Sequence, residues 1–173
     1  MRTIIPKDFL AKVNVAKLLR YALFLLLSLV FQDIISAQLR IFGVCPMALP
    51  AVAVAMGMFE GATWGPLFSL LLGVFADMTF IEHQVFFSLL FPILSFLAAF
   101  VSNYYINRRF FAYMGAASVG LLITGFAQAL KTAAGEGFST VMLTTALLQT
   151  LWSLPFAAAA YVTPARLSKS SLT

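Results

Sequence analysis

Apolar residues in this chain gather into long runs separated by short polar clusters, without the period-two alternation of half-buried strands. The runs extend from Leu18 to Ala37, Pro46 to Phe59, Trp64 to Phe80, Val85 to Ile106, Phe110 to Leu130 and Ser139 to Val162. Most of them approach the roughly 20 residues that a helix needs to cross a bilayer. The pattern predicts an all-α bundle of six transmembrane helices, with the second run either starting nearer Ile41 or lying partly inside the bundle. The separators are the segment around Arg40, the turn-forming stretch Gly61-Ala62-Thr63-Trp64-Gly65-Pro66, the loop Glu82-His83-Gln84, the basic turn Asn107-Arg108-Arg109, and Lys131 to Phe138, read as a loop. Gln32, Asp33 and Ser36, toward the far end of the first span, are expected to face protein or water rather than lipid. Residues 1–17 form a basic N-terminal segment in which Phe9, Leu10, Val13 and Ala16 share one helical face, as in an interfacial helix; 18–163 hold the bundle, and 164–173 a short tail.

Within the second and third runs, small residues recur at every fourth position: Ala53, Gly57, Gly61, Gly65, Ser69 and Gly73, with Asp77 in the next slot. A period of four follows one helical face, and small side chains let a neighbouring helix approach closely. The turn formers near Glu60 to Thr63 predict two helices joined there, with small faces that can pack together or against a partner. A carboxylate in apolar sequence needs hydrogen-bonding partners. Asp77 is therefore expected either to cap or bond a neighbouring helix or to serve a function of its own. A further small face, Ala112, Ala116, Gly120 and Thr124, lies in the fifth span.

Composition settles the class. The chain of 173 residues is 62% hydrophobic and 10% charged, against about 25% charged in soluble domains, and its mean hydropathy is +0.98. Its net charge of +5 is arranged by side rather than gathered for nucleic acid. The N-terminal segment with Lys12, Lys17 and Arg20, the Arg108-Arg109 turn and the C-terminal tail together hold nine of the eleven Lys and Arg residues. The positive-inside rule then places both termini in the cytoplasm. Tyr21, Trp64, Tyr104, Tyr105, Tyr113 and Tyr161 fall near the same predicted interface, where amphipathic aromatics anchor. The first run leads into Gln32 and Asp33 without a small-residue cleavage site and reads as a retained helix.

Catalytic constellations are lacking. One Cys and one His, Cys45 and His83, make neither a multi-cysteine metal site nor a disulfide, and no phosphate-cradling or dinucleotide motif occurs. Asp33 and Asp77 could face each other only as an otherwise unsupported acid pair. No cofactor is expected, and the reading is of a non-enzymatic interaction subunit.

The stretch LRIFGVCP (Leu39 to Pro46), followed by an apolar helix and then GATWGPLFSLLLGVFAD (Gly61 to Asp77), resembles the rod shape-determining protein MreD family. The matching positions are Arg40, Gly43, Val44 and Pro46, then Gly61, Gly65, Gly73 and Asp77, and length and topology also fit. Where that family often continues with a Pro-Leu-Gly-like turn, this chain has Glu82-His83-Gln84. The resemblance implies a scaffold of the bacterial cell-elongation machinery in the inner membrane. It would sit with an MreC-like protein, a SEDS glycosyltransferase and its penicillin-binding transpeptidase, and near the actin-like MreB filament. On that reading Gly65→Leu or Gly73→Leu is expected to abolish partner capture while the protein still inserts. The chain is also similar in size and Gly-rich segment to substrate-binding S subunits of energy-coupling-factor vitamin transporters. That likeness implies an outer cavity to which Asp33, Asp77, Glu82, Gln149 and Trp152 could contribute.

Overall fold

The structure is a computed structural model that describes residues 15–36, 38–39, 44–79, 85–104, 110–137 and 139–169. Five helices account for nearly all of these: α1 (Val15–Val30), α2 (Leu49–Thr79), α3 (Phe87–Tyr104), α4 (Phe110–Glu136) and α5 (Thr140–Lys169). A π-helical segment, Phe31–Ser36, extends α1.

The element that orders the rest is α2, which is not straight. Gly61 has φ 80° and ψ −174°, a left-handed conformation that glycine alone adopts without a steric penalty. In an unbroken helix Ala53 and Ser69 would be about 24 Å apart; instead the Ser69 hydroxyl donates to the Ala53 carbonyl at 3.3 Å. The chain therefore reverses at Gly61 into a helical hairpin with a first arm over 49–60 and a second over 62–79. This is the junction predicted between the second and third spans.

The first arm is the hub. Every residue from Leu49 to Phe59 is buried, as suits a helix with no polar face. At about 18 Å it is too short to cross a hydrocarbon layer of about 30 Å alone, so it lies within the bundle. On one side Val52, Ala53 and Met56 pack with Tyr21 and Leu25 of α1, Phe68 and Leu72 of the second arm, and Phe91 of α3. On the other, Ala51, Val54, Ala55 and Met58 pack with Tyr113, Ala117 and Leu121 of α4 and Ala157 of α5.

Outside this core the surface is apolar. Leu19, Leu23, Leu26 and Leu27 on α1, Leu67, Leu70, Leu71 and Phe75 on the second arm, and Leu89, Ile93, Phe96 and Phe100 on α3 are all exposed. Soluble monomers rarely show contiguous apolar patches beyond a few hundred Å²; such a surface belongs in lipid. Among the described residues three helices are long and apolar enough to cross a membrane: Leu49–Thr79, Phe110–Gly135 and Thr140–Val162, with Phe87–Asn103 shorter. Within the first of these, the second arm, 62–79, is by itself within the length range of a span, and the first arm is not.

Several boundaries differ from those read in the sequence. The segment from Lys131, expected to be a loop, continues α4 as far as Glu136. It ends where Gly137, at φ 88°, donates its amide to the Ala133 carbonyl at 2.9 Å, a left-handed helix stop. At the other end of the bundle α5 runs through Pro164 to Lys169, so the helix extends into what was read as the tail. Tyr21 and Tyr113, expected at an interface, are both fully buried. The Tyr21 hydroxyl donates to the half-buried Glu60 carboxylate, and the ring stacks on Phe68. Tyr113 donates to the carbonyl of Ala157 at 2.9 Å and lies 3.2 Å from that of Ala51, tying α4, α5 and the first arm together.

Candidate functional site

The small-residue face is used inside the chain. A Cβ at Gly65 would fall 2.7 Å from the Gly57 Cα, and one at Gly57 would fall 2.8 Å from the carbonyl carbon of Ser95. One at Gly73 would fall 2.7 Å from the Phe87 carbonyl carbon. Gly57 and Gly65 thus bring the two arms into backbone contact, while Gly57 and Gly73 seat α3 against them. Gly61 makes the turn, and a Cβ there would meet nothing within 4 Å. A leucine at Gly65 or Gly73 must displace backbone, so it perturbs the hairpin itself and not merely a partner surface.

Asp77 ends this face as the cap of α3. Its Oδ1 accepts from the Phe87 amide at 2.9 Å, and its Oδ2 accepts from the Ser88 amide at 2.8 Å and the Ser88 hydroxyl at 2.5 Å. Amides at a helix start lack partners within the helix, and the dipole there favours a carboxylate.

A second cap comes from far away in sequence. Buried Gln32, on the π-helical segment, donates to the Pro46 carbonyl at 2.9 Å and accepts from the Ala48 amide at 2.8 Å. Ser153 of α5 accepts from the Met47 amide at 2.8 Å. These contacts satisfy the donors just ahead of the first arm and fix where it begins.

Next to these two caps lies a polar chamber of about 310 Å³ between Gln32, Cys45, Asp77, Phe87, Gln128 and Gln149, with Lys131 and Thr132 also on its wall. That volume is at the low end of ligand cavities, about 300–1,000 Å³. The Lys131 ammonium stands 5.6 Å from the Phe86 ring centroid, within cation–π range. Of the residues named from sequence for an outer cavity, Asp77 and Gln149 line the chamber. Trp152 instead donates to the Leu39 carbonyl at 3.1 Å, and Glu82 lies outside the described residues. The chamber residues missed were Gln128, Lys131 and Thr132. Their i, i+3, i+4 spacing in an apolar helix was the available signal, hidden by reading Lys131 as the start of a loop. Among the described residues no group of three or more His, Cys, Asp or Glu stands close enough to hold a metal ion.

A different feature opens on the lipid side between α3 and α4. It is an apolar groove of about 480 Å³ whose walls include Leu94, Ala98, Ala112, Gly115 and Ala116 and which reaches Val54 of the buried first arm. The Ala112, Ala116 and Gly120 face noted in the sequence lines it.

Of the basic positions expected at a cytoplasmic edge, Lys12, Arg108 and Arg109 lie outside the described residues, as do Arg40, Gly43 and His83. Lys17 falls on α1, and Arg20 is exposed there.

These features define an all-helical membrane protein with a hairpin core, a polar chamber and a lateral apolar groove. Comparison with protein-family models, curated proteins and solved structures finds no match to the chain.

Proposed function

We propose that this chain is a non-enzymatic, MreD-like scaffold of the bacterial cell-elongation machinery, crossing the inner membrane six times with both termini in the cytoplasm. Counting the hairpin arms separately gives six helical segments, of which the buried first arm needs the non-helical stretch ahead of it, 44–48, to complete a pass, and the distribution of Lys and Arg between the two sides supports the orientation. In this role the protein holds partner spans in place: an MreC-like protein, the SEDS glycosyltransferase and the penicillin-binding transpeptidase, with MreB near the basic cytoplasmic edge.

The observation that carries the reading is the groove between α3 and α4. The glycine face is occupied within the chain, whereas Gly115 is exposed and a Cβ there would meet nothing within 4 Å. Small residues beside an open apolar slot permit the close helix approach that drives association in lipid. Affinity purification of the tagged protein in mild detergent, followed by mass spectrometry, tests this. Wild type is expected to recover the MreC-like protein and the synthases, and Gly115→Phe, which fills the slot, to lose them while inserting normally. Recovery of none of these proteins by wild type contradicts the function; undiminished recovery by Gly115→Phe contradicts the docking surface.

A second reading, an S subunit of an energy-coupling-factor transporter, is favoured by the polar chamber that brings Asp77 and Gln149 together. It predicts recovery of an ATPase-coupled membrane partner and a stoichiometric water-soluble metabolite from the same purification.

A further inference from the structure

The chamber wall contains hydrogen-bonding groups that the chain leaves poorly matched. Gln128 donates to the thioether of Met47 at 3.4 Å, and a thioether is a weak acceptor. The Gln149 side-chain amide makes no hydrogen bond to a described residue, although it lines the chamber. Gln128 lies eight residues from the end of α4 and Gln149 nine residues into α5. Both are thus about 12–14 Å along their helices, where water is scarce and an unmatched amide is unfavourable.

Gln128, Thr132 and Gln149 line both the chamber and an adjoining groove of about 250 Å³ between α4 and α5, which also runs past Val141, Thr145 and Ala146. Thr132, Val141 and Thr145 are exposed on the outer surface. The groove is therefore a side window from the lipid into the chamber.

We propose that the chamber is a binding site for the polyhydroxyl head group of a membrane lipid, a sugar or glycerol, which enters sideways between α4 and α5. Amide oxygens require a donor and amide nitrogens an acceptor, and a hydroxyl is both. Phe86 and Phe87 supply apolar walls for the carbon face of such a head. The lipid's acyl chains remain in the window and the bilayer, so they need no cavity inside the bundle.

Native mass spectrometry of the full chain in mild detergent tests the proposal. The protein is equilibrated in turn with glucosyl-diacylglycerol, phosphatidylglycerol, phosphatidylcholine and the water-soluble methyl glucoside. The glucosyl and glycerol lipids should be retained one per chain, and phosphatidylcholine, whose head has no hydroxyl, about tenfold less. Gln128→Leu with Gln149→Leu should lower glucosyl-lipid retention about tenfold. Thr145→Trp, at an exposed position, should block the window without touching the core and abolish retention. If the double variant does not fold, the head-group comparison on wild type and the Thr145→Trp result decide the matter. Equal retention of phosphatidylcholine, or retention unchanged in Thr145→Trp, overturns the proposal. So does methyl glucoside binding as tightly as the glucosyl lipid, which would assign the chamber to a soluble polyol.

Discussion

Gly57 is the position at which adding one methyl group should do most damage. Its ideal Cβ would stand 2.8 Å from the Ser95 carbonyl carbon, 2.9 Å from the Ser95 Cα, and nearer still to the Ser95 oxygen, whereas ordinary contact begins at 3.4 Å. All three atoms are backbone, so no rotamer change relieves the clash. Clearing the carbonyl carbon alone takes a retreat of α3 by about 0.6 Å, from 2.8 Å to 3.4 Å, and clearing the nearer oxygen takes more. That movement also draws the Phe87 and Ser88 amides away from Asp77, whose bonds to them are 2.9 Å and 2.8 Å long. Overpacking of this kind costs about 3 kcal/mol at the upper end of its usual range. Alanine recovers about 1 kcal/mol of helix propensity over glycine. A net loss of about 2 kcal/mol is therefore expected for Gly57→Ala. Gly115→Ala is the control: a Cβ there meets nothing within 4 Å, so the propensity gain stands alone and the variant should be more stable than wild type by about 0.5–1 kcal/mol. Unfolding titrations in mixed micelles, followed by far-ultraviolet circular dichroism, measure both. Equal midpoints for Gly57→Ala and Gly115→Ala would refute the reasoning.

Three other substitutions probe the caps and the core in the same assay. Asp77→Ala leaves the first amides of α3 without their acceptor and should lose about 1–2 kcal/mol, with Asp77→Asn intermediate because one carbonyl oxygen remains. Gln32→Leu strands the Ala48 amide and Pro46 carbonyl, both buried; a loss of about 2–3 kcal/mol is expected, and a change below about 0.5 kcal/mol would contradict the capping role. Ser95 carries a buried hydroxyl oxygen that has no hydrogen-bond partner among the described residues, so Ser95→Ala should be neutral or stabilising, and a marked loss would contradict that reading.

What the sequence made legible was whatever depends on local pattern. The turn formers between Glu60 and Gly65 placed the reversal, and the four-residue spacing from Ala53 to Gly73 supplied a small face on each arm. The shortness of the run from Pro46 to Phe59 left two readings, a start nearer Ile41 or a place partly inside the bundle, and the burial of every residue from Leu49 to Phe59 agrees with the second. What stayed hidden depends on long-range contact. Tyr21 and Tyr113 look like interfacial anchors when judged by position along the chain. They are core residues because Glu60 and the carbonyls of Ala51 and Ala157 meet their hydroxyls from distant segments. Gln32 could be assigned away from lipid, but not to a cap 14 residues downstream. The glycines of Lys131 to Phe138 suggested a loop, yet Gly135 sits within α4 and only Gly137 stops it. Because the helix runs past Lys131, Gln128, Lys131 and Thr132 share one wall of the chamber.

The internal use of the glycine face, the placement of Asp77 over α3 and the burial of the first arm all depend on the reversal at Gly61. Cysteines introduced by Ala53→Cys and Ser69→Cys, with Cys45→Ser to remove the native thiol, test it directly by oxidation in native membranes. The hairpin brings these positions together, with the Ser69 hydroxyl 3.3 Å from the Ala53 carbonyl, close to the reach of a disulfide or a short bifunctional cross-linker. An intramolecular link that protects both thiols from maleimide is predicted. Two freely labelled thiols in an inserted protein, as a straight helix with a separation of about 24 Å requires, would contradict the account.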